Sequence, residues 1–193
     1  MNKIRSGNEV FCSVDIESDG PIPGPYSMLS LGAAAFKYGT GTQVLSTFST
    51  NFNILPGTSG HPDTMKWWET QKDAWEAHRK DTVDPFVGMT NFVNWVNSLD
   101  GKPVFIGYPA TFDFGFVYWY LINFVGESPF SFSALDVKSF AMCHLKTDFR
   151  NTTKRNMPKK WFDNNKKHNH VAVDDAVEQG ILFMNMLLDS RHA

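Results

Sequence analysis

The sequence predicts an α/β fold, with helices flanking a mixed five-stranded sheet. Three observations carry this. Apolar runs with β-branched and aromatic content open the chain, separated by Gly- and Pro-rich punctuation. Helical periodicity then alternates with two further short strand-like runs. The 193 residues are 42% hydrophobic and 20% charged, enough apolar material for one substantial core. The chain is therefore read as one domain, 1–193, with its core at about 9–189.

Val10 to Asp15 reads as a first strand buried on both faces. Gly20 to Pro25 is a loop. Met28 to Phe36 is the second strand and Val44 to Leu55 the third, with Gly39-Thr40-Gly41 as the hairpin turn. Asp63 is placed as the cap of a helix over about Thr64 to Arg79. Asp84-Pro85 is a sharper start signal, an N-cap followed by proline at the first helical position. That helix runs to about Leu99, with Phe86, Met89, Phe92, Val93 and Val96 on one stripe. Val104 to Tyr108 is a strand, Thr111 to Val125 a helix, Phe132 to Asp136 a fifth strand and Val137 to Leu145 a helix. Lys146 to Asn169 is irregular, polar and basic. Val171 to Leu188 is the final helix. No internal repeat or low-complexity tract interrupts this order.

Charge and cysteine content narrow the function classes. A net charge of -2 excludes a strongly basic nucleic-acid coat, although bound cations would offset clustered carboxylates. The two cysteines, Cys12 and Cys143, form no Cys-x-x-Cys pair, so a reduced, cytoplasmic compartment is expected. The first nine residues lack the apolar centre of a signal peptide. No run of about 18 apolar residues exists, so no membrane span is expected.

The chemistry-bearing residues lie in three distant places. Asp15 and Glu17 close the first apolar run. Their spacing of two points both side chains to one face of a strand, where they repel each other unless a cation intervenes. The alternative is a strand running out into a polar loop, with both groups solvated. Asp113 sits in Phe112-Asp113-Phe114-Gly115-Phe116, at the carboxyl edge of a predicted strand, where sites in open α/β sheets form. It serves equally well as a helix cap. His170 and Asp175 flank the start of the last helix, and a histidine is a natural base at neutral pH. They also suit a surface histidine before a helix whose N-terminus the aspartates stabilise. Spacing alone does not separate Asp175 from Asp174. Converging carboxylates attract hard divalent cations, and two such ions hydrolyse phosphodiesters.

Asp15-x-Glu17, then Phe112-Asp113-x-Gly-Phe, then His170-x-Ala172-x-x-Asp175-Ala176 resembles the three motifs of the DEDDh 3′–5′ exonuclease family. That group includes RNase T, oligoribonuclease and the proofreading subunit of bacterial DNA polymerase III. The resemblance spans Val10 to Phe183 and selects Asp175 over Asp174. It implies an RNase H-like fold and release of nucleoside 5′-monophosphates from the 3′ end of single-stranded nucleic acid, RNA or short oligonucleotides ahead of DNA. It implies two divalent cations, Mg²⁺ or Mn²⁺, about 3.5–4 Å apart. Asp15 would bridge them, Glu17 and Asp175 would complete one, and Asp113 would hold the other through water. His170 would take the proton of the attacking water. A homodimer is common in the family, though no surface stripe here demonstrates one.

Thr64-Met65-Lys66-Trp67-Trp68-Glu69-Thr70-Gln71 is similar to the Thr-x-x-Trp-Trp-x-x-Gln segment of a branch with a mycobacterial exoribonuclease and exodeoxyribonuclease VIII. One tryptophan must face inward. Trp68 is assigned to the core and Trp67 to a platform under a terminal base. The segment after the first motif departs from the family's short form. Ser18 to Ser27 is longer and stiffened by proline, and its Ser18 and Tyr26 are placed beside the terminal sugar. Phe112 joins the predicted nucleic-acid contacts. Eight of the 18 basic residues fall in Lys146 to His168, and Lys159, Lys160 and Lys167 are its predicted phosphate contacts, with Phe149 and Trp161 available for stacking. A merely solvated loop is the other reading of that segment.

Overall fold

The computed structural model of the protein describes residues 8–163 and 170–192. Strands β1 (Glu9–Ser18), β2 (Met28–Lys37), β3 (Ser46–Asn51), β4 (Lys102–Gly107) and β5 (Leu135–Asp136) form one sheet in the order β3-β2-β1-β4-β5. The first three pair antiparallel, while β4 and β5 run parallel to β1 and to β4 respectively. Among the described residues six α-helices accompany the sheet: α1 (Pro62–Trp68), α2 (Lys72–His78), α3 (Pro85–Ser98), α4 (Ala110–Tyr120), α5 (Val137–Leu145) and α6 (Ala172–His192).

Each face of the sheet carries its own core. Alternation along β1 sends Cys12, Val14 and Ile16 towards α3 and α4, where they meet Phe92, Phe116 and Tyr120. Phe11 faces the other way, with Phe36, Phe183 and Trp161. Ser13, Asp15 and Glu17 share that second face by the same period of two. Burial holds the Cys12 thiol up at about 12, so it is a packing group with little thiolate character.

Several boundaries differ from the sequence expectation. The helix expected over about 64–79 is two helices, and it begins at Pro62 rather than after an Asp63 cap. Proline at the first helical position sets that start. The break follows Trp68: the Thr70 hydroxyl donates to the Trp67 carbonyl at 2.7 Å, competing with the helical ladder. The break lets Trp68 pack on Trp75 and His78, with ring centroids 5.7 and 5.4 Å away. Phe86 is not part of the buried α3 stripe. It lies in the first turn, 56% exposed, while the Asp84 carboxylate caps the helix by accepting from Phe86 N at 2.9 Å. The helix expected to reach Val125 widens into a π-helical turn over Leu121–Val125.

Candidate active site

β1 does not run out before its acids. It extends to Ser18, so Asp15 and Glu17 lie within the sheet opposite Gly32 and Ser30 of β2. A bulge after Glu17 ends that register. Gly32 makes room above the pair: a Cβ there would collide with the backbone of Ala172 and Val173. The N-terminus of α6 therefore rests directly on β2 beside Asp15. Gly180 repeats the device two turns later, against the Phe36 ring. This close seating brings Asp175 and His170 to the acids of β1.

Asp113 arrives from the opposite layer. β1 and β4 stay paired only as far as Ser13 and Ile106, and beyond that they part. Asp113 Oδ1 accepts from Ile16 N at 3.2 Å, taking up a backbone donor on the parted strand. It does not cap α4. That work falls to Asp136, whose carboxylate accepts from Ala110 N at 2.9 Å and from Ser139 N at 2.7 Å, serving α4 and α5 at once. The fork between β1 and β4 is closed on its other side by Gln179. Its amide nitrogen lies 3.0 Å from Ser13 Oγ, 3.1 Å from the Val14 carbonyl and 3.3 Å from the Ile106 carbonyl. Sequence reasoning missed Gln179. Its signal was an amide four residues after Asp175, on the helix face that also carries Ala172, Ala176 and Phe183.

The resulting cluster is anionic and largely enclosed. Ligand atoms of Glu17, His170 and Asp175 all lie within 4.8 Å of one another, and His170 Nδ1 stands 3.8 Å from Glu17 Oε1. Asp113 and Asp175 are only 4% and 3% exposed. Burial lifts the Asp15 carboxyl well above its usual range, reinforced by Asp113, Glu17 and Asp175 and opposed by the Lys154 ammonium. Glu17 is pushed to about 8 by burial and then by Asp175 and Asp113. Asp113 reaches about 7 through burial, against the pull of backbone N–H donors. Carboxylates crowded this way take up either protons or hard cations, and their oxygen donors suit a divalent ion.

His170 is held by its backbone as much as by its ring. It adopts a positive φ of 56°, a conformation that a side-chain-bearing residue occupies only when its surroundings fix it. His78, the last residue of α2, donates from Nε2 to the His170 carbonyl at 2.8 Å. Burial keeps the His78 pKa below its ordinary value, and the carbonyl acceptor requires the ring proton on Nε2. His78 is a second residue that the sequence did not single out.

Trp67 stands edge-on to the His170 ring at 5.0 Å and is 39% exposed, whereas Trp68 is buried and donates from Nε1 to the Ser18 carbonyl at 3.0 Å. The Ser18 hydroxyl is turned to the Gly20 carbonyl at 2.8 Å. Tyr26 folds its ring over Gly20 and meets His61 at 5.5 Å. Phe112 is partly exposed on α4, with its ring 5.2 Å from Phe116. Lys159 lines a cleft of about 370 Å³ with Lys154, Arg155, Met157 and Phe162. Lys160 pairs with Asp189 of α6 at 2.6 Å. Trp161 is buried and donates to the same carboxylate at 3.1 Å, so it is a core residue and no stacking surface. Lys167 lies outside the described residues. A second cleft of about 390 Å³ opens on the carboxylates, lined by Asp15, Tyr108, Lys154, Asp175, Glu178 and Gln179.

Residues 10–187 match the family described as the Rv2179c-like 3′–5′ exoribonuclease domain. The chain is 34% identical over 188 residues to the 3′–5′ DNA exonuclease Cap18 of Escherichia coli, covering 93% of this chain and 92% of that relative. Among solved structures, the nuclease domain of 3′hExo, a DEDDh family member bound to rAMP, superposes with a TM-score of 0.70 at 12% identity, over 96% of this chain and 94% of that one. The E. coli ExoI–ssDNA complex gives 0.66 at 14%, over 95% of this chain and 41% of that one. S. pombe Pop2p in its Mg²⁺- and Mn²⁺-bound form gives 0.60 at 13%, over 92% and 82%. The chain belongs to the Rv2179c-like 3′–5′ exoribonuclease domain family, has the RNase H-like fold of the DEDDh exonucleases and is a 3′–5′ exonuclease.

Proposed function

We propose that the chain, acting as one domain, hydrolyses the terminal phosphodiester of single-stranded nucleic acid and releases nucleoside 5′-monophosphates with the help of two divalent cations, Mg²⁺ or Mn²⁺. The observation that carries this is the convergence of Glu17, His170 and Asp175 within 4.8 Å beside Asp15 and Asp113. Asp15, Glu17, Asp113 and Asp175 are the residues that would hold the ions. Bound there, such ions supply Lewis-acid stabilisation of the attacking and leaving oxygens. His170 receives the proton of the attacking water, and the adjacent Glu17 carboxylate steadies the imidazolium that results. His78 holds the His170 backbone and thereby the aim of its ring. Trp67, exposed beside His170, offers the terminal base a stacking face, which a splayed 3′ end needs.

RNA and short oligonucleotides are the first substrate class, supported by the description of the matching family. Single-stranded DNA is the second, supported by the activity named for Cap18. Time courses on matched 5′-labelled RNA and DNA strands, with Mg²⁺, Mn²⁺ or chelator, test both. The expected result is a ladder shrinking from the 3′ end only when metal is present, faster on RNA. Internal fragments, or trimming in chelator, would sink the mechanism, and faster trimming of DNA would reverse the substrate order.

A further inference from the structure

Lys154 begins a 3₁₀ turn, Lys154–Asn156, in the basic segment that precedes α6. It lines both clefts: the one that opens on Asp15 and Asp175, and the one it shares with Arg155, Lys159 and Phe162. Its Nζ pairs with Glu178 Oε1 at 3.1 Å and stands 5.8 Å from the centroid of the Tyr108 ring. Tyr108 in turn donates to the Thr152 carbonyl at 2.6 Å, tying the start of the basic segment to the end of β4. The ammonium thus stands where the carboxylate cleft meets the basic cleft. Glu178 lies one helical turn after Asp175, on the same side of α6.

We propose that Lys154 binds the phosphate one linkage upstream of the cleaved bond, and that Glu178 holds the ammonium at that position until substrate arrives. This rests on the exonuclease reading above and adds a substrate contact to it. A strand whose last linkage lies over Asp15 must send its next phosphate out of the carboxylate cleft, and among the described residues Lys154 is the cation common to that cleft and the basic one. The lysine side chain is a third exposed, so its head can leave Glu178 for a phosphate at the cleft mouth. A lysine head on four rotatable carbons turns from carboxylate to phosphate with small movement, and an ammonium–phosphate contact is a charge-assisted hydrogen bond.

The test compares wild type, Lys154→Met and Glu178→Gln as full chains. Substrates are an all-phosphate single strand and the same strand with a neutral methylphosphonate one linkage upstream of the terminal bond. Lys154→Met should raise KM roughly 10- to 100-fold on the all-phosphate strand with kcat within a few-fold. On the neutral-linkage strand it should match wild type. Glu178→Gln, which releases the lysine, should lower KM. Binding by fluorescence anisotropy in a His170→Ala background, where turnover is slow, should show the same phosphate-dependent loss. Equal penalties on both strands overturn the proposal. So do matched losses of melting temperature in both variants with KM unchanged, the behaviour of a strut between the basic segment and α6. If wild type trims neither strand, the exonuclease reading fails first; the anisotropy comparison then still decides whether Lys154 meets that phosphate.

Discussion

Asp15, Glu17, Asp113 and Asp175 occupy a space in which four ionised carboxylates do not coexist without a counter-charge. Asp15→Asn removes one negative charge from this group. It should abolish nearly all turnover while the folded protein melts no lower than wild type in chelator, checked by paired assays of trimming and thermal unfolding. His170→Ala should slow turnover by about 10²–10⁴-fold and leave Mn²⁺ affinity within a few-fold, read by titration calorimetry. An unchanged rate would remove His170 from proton transfer. At this scale the types and order of the site residues stood in the sequence. The supports did not. Gln179 and His78 act on carbonyls of Val14, Ile106 and His170, and a backbone carbonyl has no signature in sequence.

At the scale of elements, the seat of α6 on the sheet governs the site. Gly32 and Gly180 allow backbone and ring to approach where any side chain would intrude. Gly32→Ala should therefore displace the start of α6, lowering stability by about 1–3 kcal/mol and weakening metal binding at the same time. Gly115→Ala is the matched control: nothing lies near its Cβ position in α4, and a helical Gly→Ala change should stabilise by about 0.5–1 kcal/mol. Urea unfolding of both variants measures the contrast. A neutral Gly32→Ala would show that α6 is placed by other contacts. The start of α3 was readable because Asp84 and Pro85 act locally. The break between α1 and α2 was not, since it serves the packing of Trp68 against Trp75 and His78.

Over the whole molecule, the buried carboxylates couple folding to pH and to metal. In the unfolded chain Glu17 and Asp113 return to about 4.5 and 3.8, against about 8 and about 7 when folded. A group whose folded pKa is raised binds its proton more tightly in the native state. Its contribution is complete below the unfolded value and is lost as pH rises through the folded one. In chelator, the melting temperature should fall between about pH 4 and pH 8. Mg²⁺ or Mn²⁺ should flatten that fall, since a ligand that binds only the folded state at 100 times its Kd adds about 2.7 kcal/mol. Differential scanning fluorimetry across this range is the check, and a melting temperature that climbs throughout would contradict the raised carboxylates.

The sequence by itself determined the α/β class, the order of strands and helices apart from the break between α1 and α2, and the five residue types that the resemblance draws together. Those follow from local periodicity, capping and motif spacing, each readable within a few neighbours. Only the tertiary structure decided that β1 carries both acids inside the sheet, and that Asp136 caps α4 so that Asp113 meets β1. It alone decided that Lys154 stands between two clefts. These depend on which backbone groups are left without a partner where β1 and β4 separate, and on which glycines let α6 settle. Such facts arise between segments far apart in the chain, where sequence spacing carries no information about distance.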